Sequence, residues 1–509
     1  MRTALLALCL AAPAALASET GLPLPDAPVR VVIPDAAAFD AALTGAFRGA
    51  LTGELPADDP VATAWRQTQV GSKLEEQWQR LSADLPWTWT QIRRLQPRRV
   101  GLALLEVGHL EAVLVVDTPL ASLPIAPPAG EARAHKGQAY RFVTAGAADG
   151  ASDPDRRMGL AWAQSGSLLL LATSERALTK ALDAQLAGAG FAAPLPGLVS
   201  LELDLEVLRR DRYFKREFPW PAGPEQGRLR AALRLEQGQV VEVREGSGAA
   251  QEPGQLFDAP TAVAAGWEPD AGSFWQALRA GLLEPIPEPA DRPVAALQAL
   301  PGLRAAEAED RYLVSLDRPP ARADGATFEA GDLAPWAELL QRQPVTGWGF
   351  AVEPDGARRL VFAWPEGRDA ELERLCRATV ERRAGRSSVA SVAGAREIQV
   401  GPGLPALALR RTGAWVWLGP SAQALASVQA PRAAGDVVRW GRLDLEAARV
   451  EGQRWARLEG PGGEGEVRPL TDRILGLLGW MPAVRAVTVE RRQGASGWSE
   501  RVVFGSTAP

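Results

Sequence analysis

The feature that most constrains the fold is a strand–turn–strand–helix pattern that occurs twice, far apart in the chain. Within Met158–Leu182 the first copy reads GLAWAQSGSLLLLATSERALTKAL, and Ser174 stands where the helix is predicted to begin. Within Pro405–Val428 the second copy reads ALALRRTGAWVWLGPSAQALASV, with Ser421 in the place of Ser174. Because solenoid repeats are only about 20–50 residues long, two copies at this distance predict two whole domains of one architecture.

Four further segments recur in the same order, which supports a duplicated chain. They are a Pro-Asp-Ala step that opens a predicted helix, a central hairpin, the sequence Leu-Asp-Leu-Glu and a closing Gln-Gly turn. Their two copies begin at Pro34 and Pro269, Gly101 and Gly349, Leu203 and Leu443, and Gln237 and Gln493. The central hairpins are predicted to turn at Gly108 and Gly356, since glycine accepts the positive φ that tight turns demand.

Strands in this chain arrive mostly as hairpins, with helices between groups of them. This order predicts an α+β fold of two homologous domains, each a mainly antiparallel, hairpin-built sheet with helices packed on one face. The other face is expected to be wetter, and four arginines beside apolar runs are interpreted as marking it: Arg358, Arg359, Arg410 and Arg411. The predicted divisions of the chain are a signal peptide (1–17), a flexible lead-in (18–27), a first domain (28–250), a linker (251–259) and a second domain (260–505).

The N-terminus predicts export from a bacterial cell. Arg2 supplies a positive charge, Ala4–Ala14 an apolar run, and Ala15-Leu16-Ala17 a small-residue cleavage site. The apolar run is shorter than the roughly 20 residues that span a bilayer, and no later segment approaches that length without Arg, Asp or Pro. We therefore expect cleavage after Ala17, export to the periplasm or the extracellular space, and no transmembrane segment in the mature protein.

Cleavage would also remove Cys9 and leave Cys376 as the only cysteine, so a disulfide within the mature chain is excluded. Cys376 lies in an apolar helical run and is predicted to be a small buried side chain.

A hydrophobic content of 46% and a charged content of 23% are typical of globular proteins. The net charge of −5 is small for 509 residues and gives no reason to expect a nucleic-acid partner.

Signals of catalysis are sparse, and the sequence predicts neither a metal nor a cofactor. His109 and His135 are the only histidines, so a His-rich zinc site cannot be built within one chain. Both are interpreted as surface loop residues. The HExxH, CxxC and Walker-type motifs are missing from the sequence, and so is the GxSxG nucleophile elbow.

Two groups of carboxylates have alternative interpretations. A cluster in the loop DGASDPD could supply oxygens to calcium but is assigned to a solvated loop: Asp149, Asp153 and Asp155. The repeated Leu-Asp-Leu-Glu could contribute to a paired-carboxylate hydrolase, although alternation with Leu favours solvent-facing positions on a strand. These carboxylates are Asp204, Glu206, Asp444 and Glu446.

Aromatic and basic residues mix in one segment that is the candidate interaction surface. Amphipathic rings beside arginine suit a partner surface, a glycan or lipid headgroups, with an ordinary packed helix as the alternative. The candidate residues are Arg212, Tyr213, Phe214, Lys215, Arg216 and Trp220, with Arg454 and Trp455 in the equivalent place of the second copy. The other basic run is interpreted as solvated: Arg93, Arg94, Arg98 and Arg99. Tryptophans on predicted strands are assigned to the core: Trp162, Trp348, Trp364, Trp415 and Trp417.

The strand–helix step at Leu168–Leu178, with its weaker copy at Trp415–Leu425, resembles secreted bacterial proteins assigned to domains of unknown function. In those proteins an N-terminal strand and a Pro-Asp helix precede a hairpin and this step. The resemblance implies an exported protein and supplies no active site. Three functions are carried forward: a non-catalytic envelope or secreted protein that binds a protein partner, a carrier or sensor for an apolar or glycan ligand in a Trp-lined cleft, and a carboxylate-dependent hydrolase.

Overall fold

Antiparallel β-structure dominates the computed structural model, and helices are few. The chain divides into two units, with residues 1–248 and 479–483 in unit 1 and residues 249–478 and 484–509 in unit 2. The structure describes residues 21–46, 89–106, 111–119, 130–144, 159–211, 225–237, 239–269, 334–342, 345–353, 358–447, 484–495 and 497–505.

Unit 1 contains one sheet of ten described strands, and every pairing in it is antiparallel. The strands are β1 (Val29–Ile33), β2 (Arg99–Glu106), β3 (Glu111–Asp117), β4 (Glu131–His135), β5 (Gln138–Thr144), β6 (Gly159–Ser165), β7 (Leu168–Ala172), β8 (Val199–Asp204), β9 (Glu225–Glu236) and β10 (Gln239–Gly248). Their order across the sheet is β4-β5-β6-β7-β3-β2-β1-β8-β9-β10.

Three of the four described helices of unit 1 begin at polar caps, which are Asp35, Ser174 and Asp204. The four helices are α1 (Ala36–Ala46), α2 (Trp89–Arg94), α3 (Glu175–Leu186) and α4 (Leu205–Arg210). The Ser174 hydroxyl accepts a hydrogen bond from the backbone N–H of Ala177, which confirms the predicted start of α3. Along α3, the residues that recur at helical spacing are buried: Ala177, Leu178, Ala181 and Leu182. They pack with Val113, Val115 and Leu170 of the sheet in the core of the unit.

Unit 2 contains a second set of ten antiparallel strands. They are β12 (Ala264–Glu268), β13 (Trp348–Val352), β14 (Arg358–Ala363), β15 (Ser388–Val392), β16 (Ala395–Gly401), β17 (Leu404–Thr412), β18 (Trp415–Gly419), β20 (Val437–Asp444), β21 (Ala486–Gly494) and β22 (Gly497–Gly505). A two-stranded pair adds β11 (Gln255–Leu256) and β19 (Arg432–Ala433), and the longer described helices are α5 (Ala334–Arg342) and α6 (Asp369–Ala384).

The order of the ten strands in unit 2 is β15-β16-β17-β18-β14-β13-β12-β20-β21-β22. When the ten strands of each sheet are numbered from one to ten along the chain, the same numbers are neighbours in both units. Single positions agree as well, since Gly101 faces Val115 in unit 1 and Gly349 faces Val361 in unit 2. The hairpins predicted at the centre and at the end of each half are confirmed.

The predicted wetter face is wrong for the central strands. In unit 1 strand alternation puts Val100, Val116 and Leu169 on the face opposite α3, yet all three are buried. In unit 2 the side chains of Arg358 and Arg359 are 4% and 7% exposed, and Arg359 forms an ion pair with Glu353. A paired guanidinium can be buried, so an arginine beside apolar residues did not identify a solvated face.

Two predicted connecting segments belong to the folded units. Leu22 and Leu24, in the predicted lead-in, are buried in the core of unit 1, and the Leu22 N–H donates to the Phe191 carbonyl at 3.1 Å. Phe257, in the predicted linker, packs against Trp417 and Trp440 of unit 2, with ring centroids 5.4 and 5.2 Å apart. The apolar residues of these two segments, rather than their Pro- and Gly-rich composition, indicate that the segments belong to the folded units.

The repeated Leu-Asp-Leu-Glu is a strand end followed by a helical turn, which corrects the prediction of a solvent-facing strand. Asp204 ends β8, and its carboxylate accepts from the N–H groups of Glu206 and Val207. Asp444 ends β20 in the same way and accepts from the N–H of Ala447 at 3.0 Å. After Ser421, by contrast, unit 2 forms successive turns where unit 1 has the helix α3, although the Ser421 hydroxyl still accepts from Ala424.

Candidate functional site

The residues proposed from sequence as an interaction surface lie outside the described residues. This holds for Arg212, Tyr213, Phe214, Lys215, Arg216 and Trp220, and equally for Arg454 and Trp455. His109 and the loop aspartates Asp149, Asp153 and Asp155 also lie outside them. The candidate site described below was not predicted from the sequence.

A polar pocket of about 790 Å³ lies at one end of the unit 1 sheet. Four connections meet there: the segment after β1, the segment before β2, the segment after β3 and the turn between β6 and β7. The pocket is lined by Pro34, Asp35, Ala36, Ala37, Asp40, Arg93, Gln96, Pro97, Arg98, Arg99, Asp117, Pro119 and Ser167. Three arginines and three aspartates thus converge on one cavity.

One wall of the pocket is fixed by the start of α1. Asp35 caps this helix, because one of its carboxylate oxygens accepts from the N–H groups of Ala37 at 2.8 Å and Ala38 at 3.0 Å. The Ala36 N–H donates to the Arg98 carbonyl at 2.9 Å, which holds the helix start beside β2. Phe39 anchors the helix and is 3% exposed. The second carboxylate oxygen of Asp35 keeps its capacity to accept a hydrogen bond from a ligand.

The opposite wall is built around Asp117, which is 3% exposed. Arg99 donates to one oxygen of this carboxylate through Nε at 3.0 Å and Nη2 at 2.8 Å, and Arg98 donates to the other oxygen at 2.6 Å. Burial alone would raise the pKa of Asp117, but the hydrogen bonds from Arg98, Arg99 and Ser167 outweigh it and hold the pKa below its usual value. Asp117 therefore stays ionised and fixes both arginines.

Most of the charged side chains that line the pocket form ion pairs. Arg93 and Asp40 neutralise each other, with Arg93 Nε 2.5 Å from the Asp40 carboxylate. Arg98 and Arg99 both donate to the carboxylate of Asp117. The Arg98 side chain is 56% exposed, and among the described residues its side chain bonds to Asp117 alone. Arg98 therefore has guanidinium N–H groups available for a ligand.

The corresponding end of the unit 2 sheet has a buried tryptophan in its described part. The backbone bond from the Thr118 N–H to the Ser167 carbonyl in unit 1, 2.8 Å long, matches one from Trp364 to Ala414 in unit 2, 3.0 Å long. Trp364 thus takes the place of Thr118, is 2% exposed and donates to the Arg368 carbonyl at 3.3 Å.

Arg411 adds hydrogen bonds around this tryptophan in unit 2. Arg411 donates to the carbonyls of Trp364 and Pro365, each at 3.1 Å, and to the carboxylate of Asp369 at 2.7 Å. In the matching strand register, Ala363 stands where unit 1 has Asp117. The same arrangement of strands therefore ends in an open polar pocket in one unit and in a packed tryptophan in the other.

Several buried carboxylates in the described parts of both units are held by arginine, whereas Glu397 accepts hydrogen bonds from the Gln399 side chain and the Ala422 N–H. Glu202 receives hydrogen bonds from Arg30 and from Arg228. Glu500, which is 1% exposed, receives them from Arg439 at 3.2 Å and Arg491 at 2.9 Å. In these hydrogen bonds the partner of Glu202 and Glu500 is arginine and not a second carboxylate, unlike the facing pair that the predicted hydrolase needs.

Other candidate catalytic groups among the described residues are also engaged. His135 ends strand β4 rather than lying in a loop, and its Nε2 is 2.8 Å from the Asp183 carboxylate. Cys376 is fully buried, as predicted, and burial raises the pKa of its thiol. The predicted core tryptophans Trp348, Trp364 and Trp417 are buried, whereas Trp162 and Trp415 are half-buried. No group of three or more potential metal ligands occurs within the described part of the chain.

Comparisons with known protein families, with curated proteins and with solved structures gave no match. The resemblance to secreted proteins of unknown function stays a prediction. None of the helices in the described ranges has both the length and the apolar character that crossing a membrane requires.

One sequence signal could have located the pocket. The central hairpin was predicted to turn at Gly108, and that turn places Arg99 directly opposite Asp117, where the structure has them. Arg99 and Asp117 are an opposite-charge pair at the end of the hairpin away from its turn, and they belong to the pocket wall built around Asp117. The contributions of Asp35, Asp40 and Arg93 come from segments distant in sequence, so no local pattern announces them.

Proposed function

We propose that this protein is an exported bacterial binding protein without catalytic activity, and that unit 1 holds a small polar ligand in its pocket. The observation that carries the proposal is a cavity of about 790 Å³ whose walls bring Asp35, Arg98 and Asp117 together. Concave sites with a few convergent polar groups are where small ligands bind.

The chemistry of the lining favours a hydroxyl-bearing ligand with one anionic group, such as an acidic sugar. Arg98 offers guanidinium donors from a side chain that is 56% exposed, and arginine binds carboxylate and phosphate groups with paired hydrogen bonds. Asp35 offers a carboxylate oxygen on the facing wall, which suits a sugar hydroxyl. Among the described residues the lining of this pocket is charged and contains no tryptophan, so the pocket differs from the predicted Trp-lined cleft and favours a polar ligand over an apolar one.

We further infer that the two units descend from one duplicated domain. The same antiparallel pairing order in both units and the repeated caps at Asp204 and Asp444 support this origin. So do the tight turns Lys136–Gly137 and Ala393–Gly394, in which all four residues have positive φ. Under this account both units retained the scaffold and diverged at this sheet end, where Trp364 stands in the place of Thr118.

Titration calorimetry on the mature protein tests the binding proposal with glucuronate, glucose 6-phosphate and glucose as probes. We expect the two acidic sugars to bind more tightly than glucose. R98A should weaken their binding at least tenfold, because a hydrogen bond to a charged group contributes about 1.5–3 kcal/mol. Arg99 still holds Asp117 in that variant, so the wall remains intact.

The matched control is R94A, because Arg94 is exposed on the same helix as Arg93 but does not line the pocket. Equal losses of affinity in R94A and R98A would contradict the assignment of the pocket, and so would the absence of binding to all three sugars. N-terminal sequencing of the protein recovered from the periplasm tests export, with Ser18 as the expected first residue.

A further inference from the structure

The outermost strand at one end of each sheet occupies the same place in both units. These strands are β4 in unit 1 and β15 in unit 2, and each pairs with one neighbour in the described sheets, β5 and β16 respectively. Each is joined to that neighbour by a two-residue turn with positive φ at both positions, Lys136–Gly137 and Ala393–Gly394. An outermost strand presents unpaired N–H and C=O groups that can accept a further strand.

Strand β4 is protected by charge. Arg133 is bound by Glu131 at 2.7 Å and by Glu175 at 2.6 Å, and His135 lies 2.8 Å from Asp183. Charged side chains that are fixed across an edge strand oppose the approach of another strand. The edge of unit 1 therefore has a device against strand addition.

Strand β15 lacks this protection. Its sequence, Ser-Val-Ala-Ser-Val, contains neither charge nor proline, and its pairing with β16 runs without a bulge from Ser388 to Val392. Its side chains are exposed or half-buried, and Val392 is 38% exposed. The nearest charge on its partner strand, Arg396, is neutralised by Glu373 at 2.8 Å and also donates to Ser391.

The turn geometry identifies the groups that are free on β15. In a hairpin closed by a two-residue turn, the residues next to the turn form a hydrogen-bonded pair, and such pairs alternate along the strands. Val392, Ala390 and Ser388 therefore bond to β16. Val389 and Ser391 direct their N–H and C=O groups away from the sheet. This row of two donors and two acceptors is the template for an added strand.

A free positive charge lies at the beginning of this edge. Arg386 is exposed two residues before β15, and no hydrogen bond or ion pair joins it to another residue within the described ranges. A strand added antiparallel to β15 would bring its C-terminal end next to Arg386. Acidic residues at that end would complement the charge.

We propose that β15 is a docking edge for an extended peptide segment that adds to the sheet antiparallel and carries acidic residues at its C-terminal end. Backbone bonds to Val389 and Ser391 supply the attachment, and Arg386 selects the charge of the segment. This site is separate from the unit 1 pocket, so either can fail without the other.

Fluorescence anisotropy of the mature protein tests the proposal with a labelled peptide of the sequence Thr-Val-Thr-Val-Thr-Glu-Glu. V389P removes an N–H that β16 does not use, so we expect the hairpin to remain and the peptide to stop binding. The matched control is A132P, because Ala132 holds the same outward position in β4. Peptide binding should be unchanged in that variant. R386E should weaken binding about fivefold, as expected for an exposed ion pair of up to about 1 kcal/mol.

V389E is the second variant, for use if V389P does not fold, since it keeps the backbone N–H and repels the acidic peptide. Three results would overturn the proposal: no saturable binding of the peptide to wild type, binding that survives both V389P and V389E, or equal losses in A132P and V389P. Light scattering provides a further test. A wild-type dimer that V389P converts to a monomer would show that a second copy of this chain occupies the edge instead of an acidic peptide.

Discussion

Units 1 and 2 pair their strands in the same order but finish the sheets differently. At one end of the sheet, unit 1 has a pocket with Asp35 and Asp117 in its walls. At the corresponding end, unit 2 has the buried side chain of Trp364. At the outermost strand, unit 1 has charges fixed to a helix, where unit 2 has an uncharged edge. The pairing of strands depends on backbone hydrogen bonds and buried apolar faces, which many sequences can supply. Loops and edges are free to differ, so binding chemistry can differ while the scaffold stays the same.

The largest expected effect concerns Trp364 at the end of the unit 2 sheet, compared with Thr118 at the corresponding place in unit 1. W364A removes a tryptophan that is 2% exposed and should lower the free energy of unfolding by about 3–5 kcal/mol. T118A, at the corresponding place in unit 1, removes a hydrogen bond to the Leu95 carbonyl and should cost about 1 kcal/mol. Urea unfolding followed by circular dichroism measures both. Equal costs would show that the two ends are packed alike.

The next effect concerns Asp117. D117N removes the charge that binds Arg98 and Arg99 and should lower the free energy of unfolding by about 2 kcal/mol, less than for a fully buried pair because Arg98 reaches solvent. A363D, at the matching position of unit 2, places a carboxylate at an exposed site and should change stability by less than about 0.5 kcal/mol.

The cost of D117N should also depend on pH. The folded protein holds the pKa of Asp117 below the value of about 3.9 expected in the unfolded chain. Its contribution is therefore complete above about pH 4 and is lost as the pH falls through the folded-state pKa. The difference in stability between wild type and D117N, measured by urea unfolding, should shrink between about pH 4 and pH 2. A difference that stays constant over this range would contradict the assigned ion pairs.

The smallest effect tests what the two units share. D204A and D444A each remove a cap that follows the last strand before a helical turn, and each should cost about 1 kcal/mol. Thermal unfolding of each variant, with D204N and D444N as conservative controls, measures the loss. A loss of stability in only one of the two alanine variants would show that the caps of the two units are not equivalent.

Much of the scaffold could be predicted because its signals are local. The Ser174 cap, the helix after Pro34 and the hairpins all follow from residues a few positions apart. The short Leu-Asp-Leu-Glu was misinterpreted, since alternation and a strand-ending cap look the same over four residues. Leu22 and Leu24 were missed because their burial depends on Phe191 and the core, which are distant in sequence.

The pocket could be predicted only in part. The pair of Arg99 and Asp117 follows from the hairpin register, whereas Asp40 and Arg93 meet across a long sequence separation. The four arginines of the predicted solvated run also differ in environment, since Arg94 is exposed while Arg93 and Arg99 are held by aspartates. Charge alone in a sequence does not distinguish a solvated arginine from one that builds a site.

The common strand order can be tested most directly by engineered disulfides between strands far apart in sequence. V29C/L203C in unit 1 and A264C/L443C in unit 2 join residues that face each other on neighbouring strands, and Cys376 is too deeply buried to interfere. We predict that oxidation cross-links both pairs, whereas V29C/L201C and A264C/G441C, displaced by two residues, stay reduced. A cross-link in unit 1 alone, or equal cross-linking of the displaced pairs, would contradict a shared strand order.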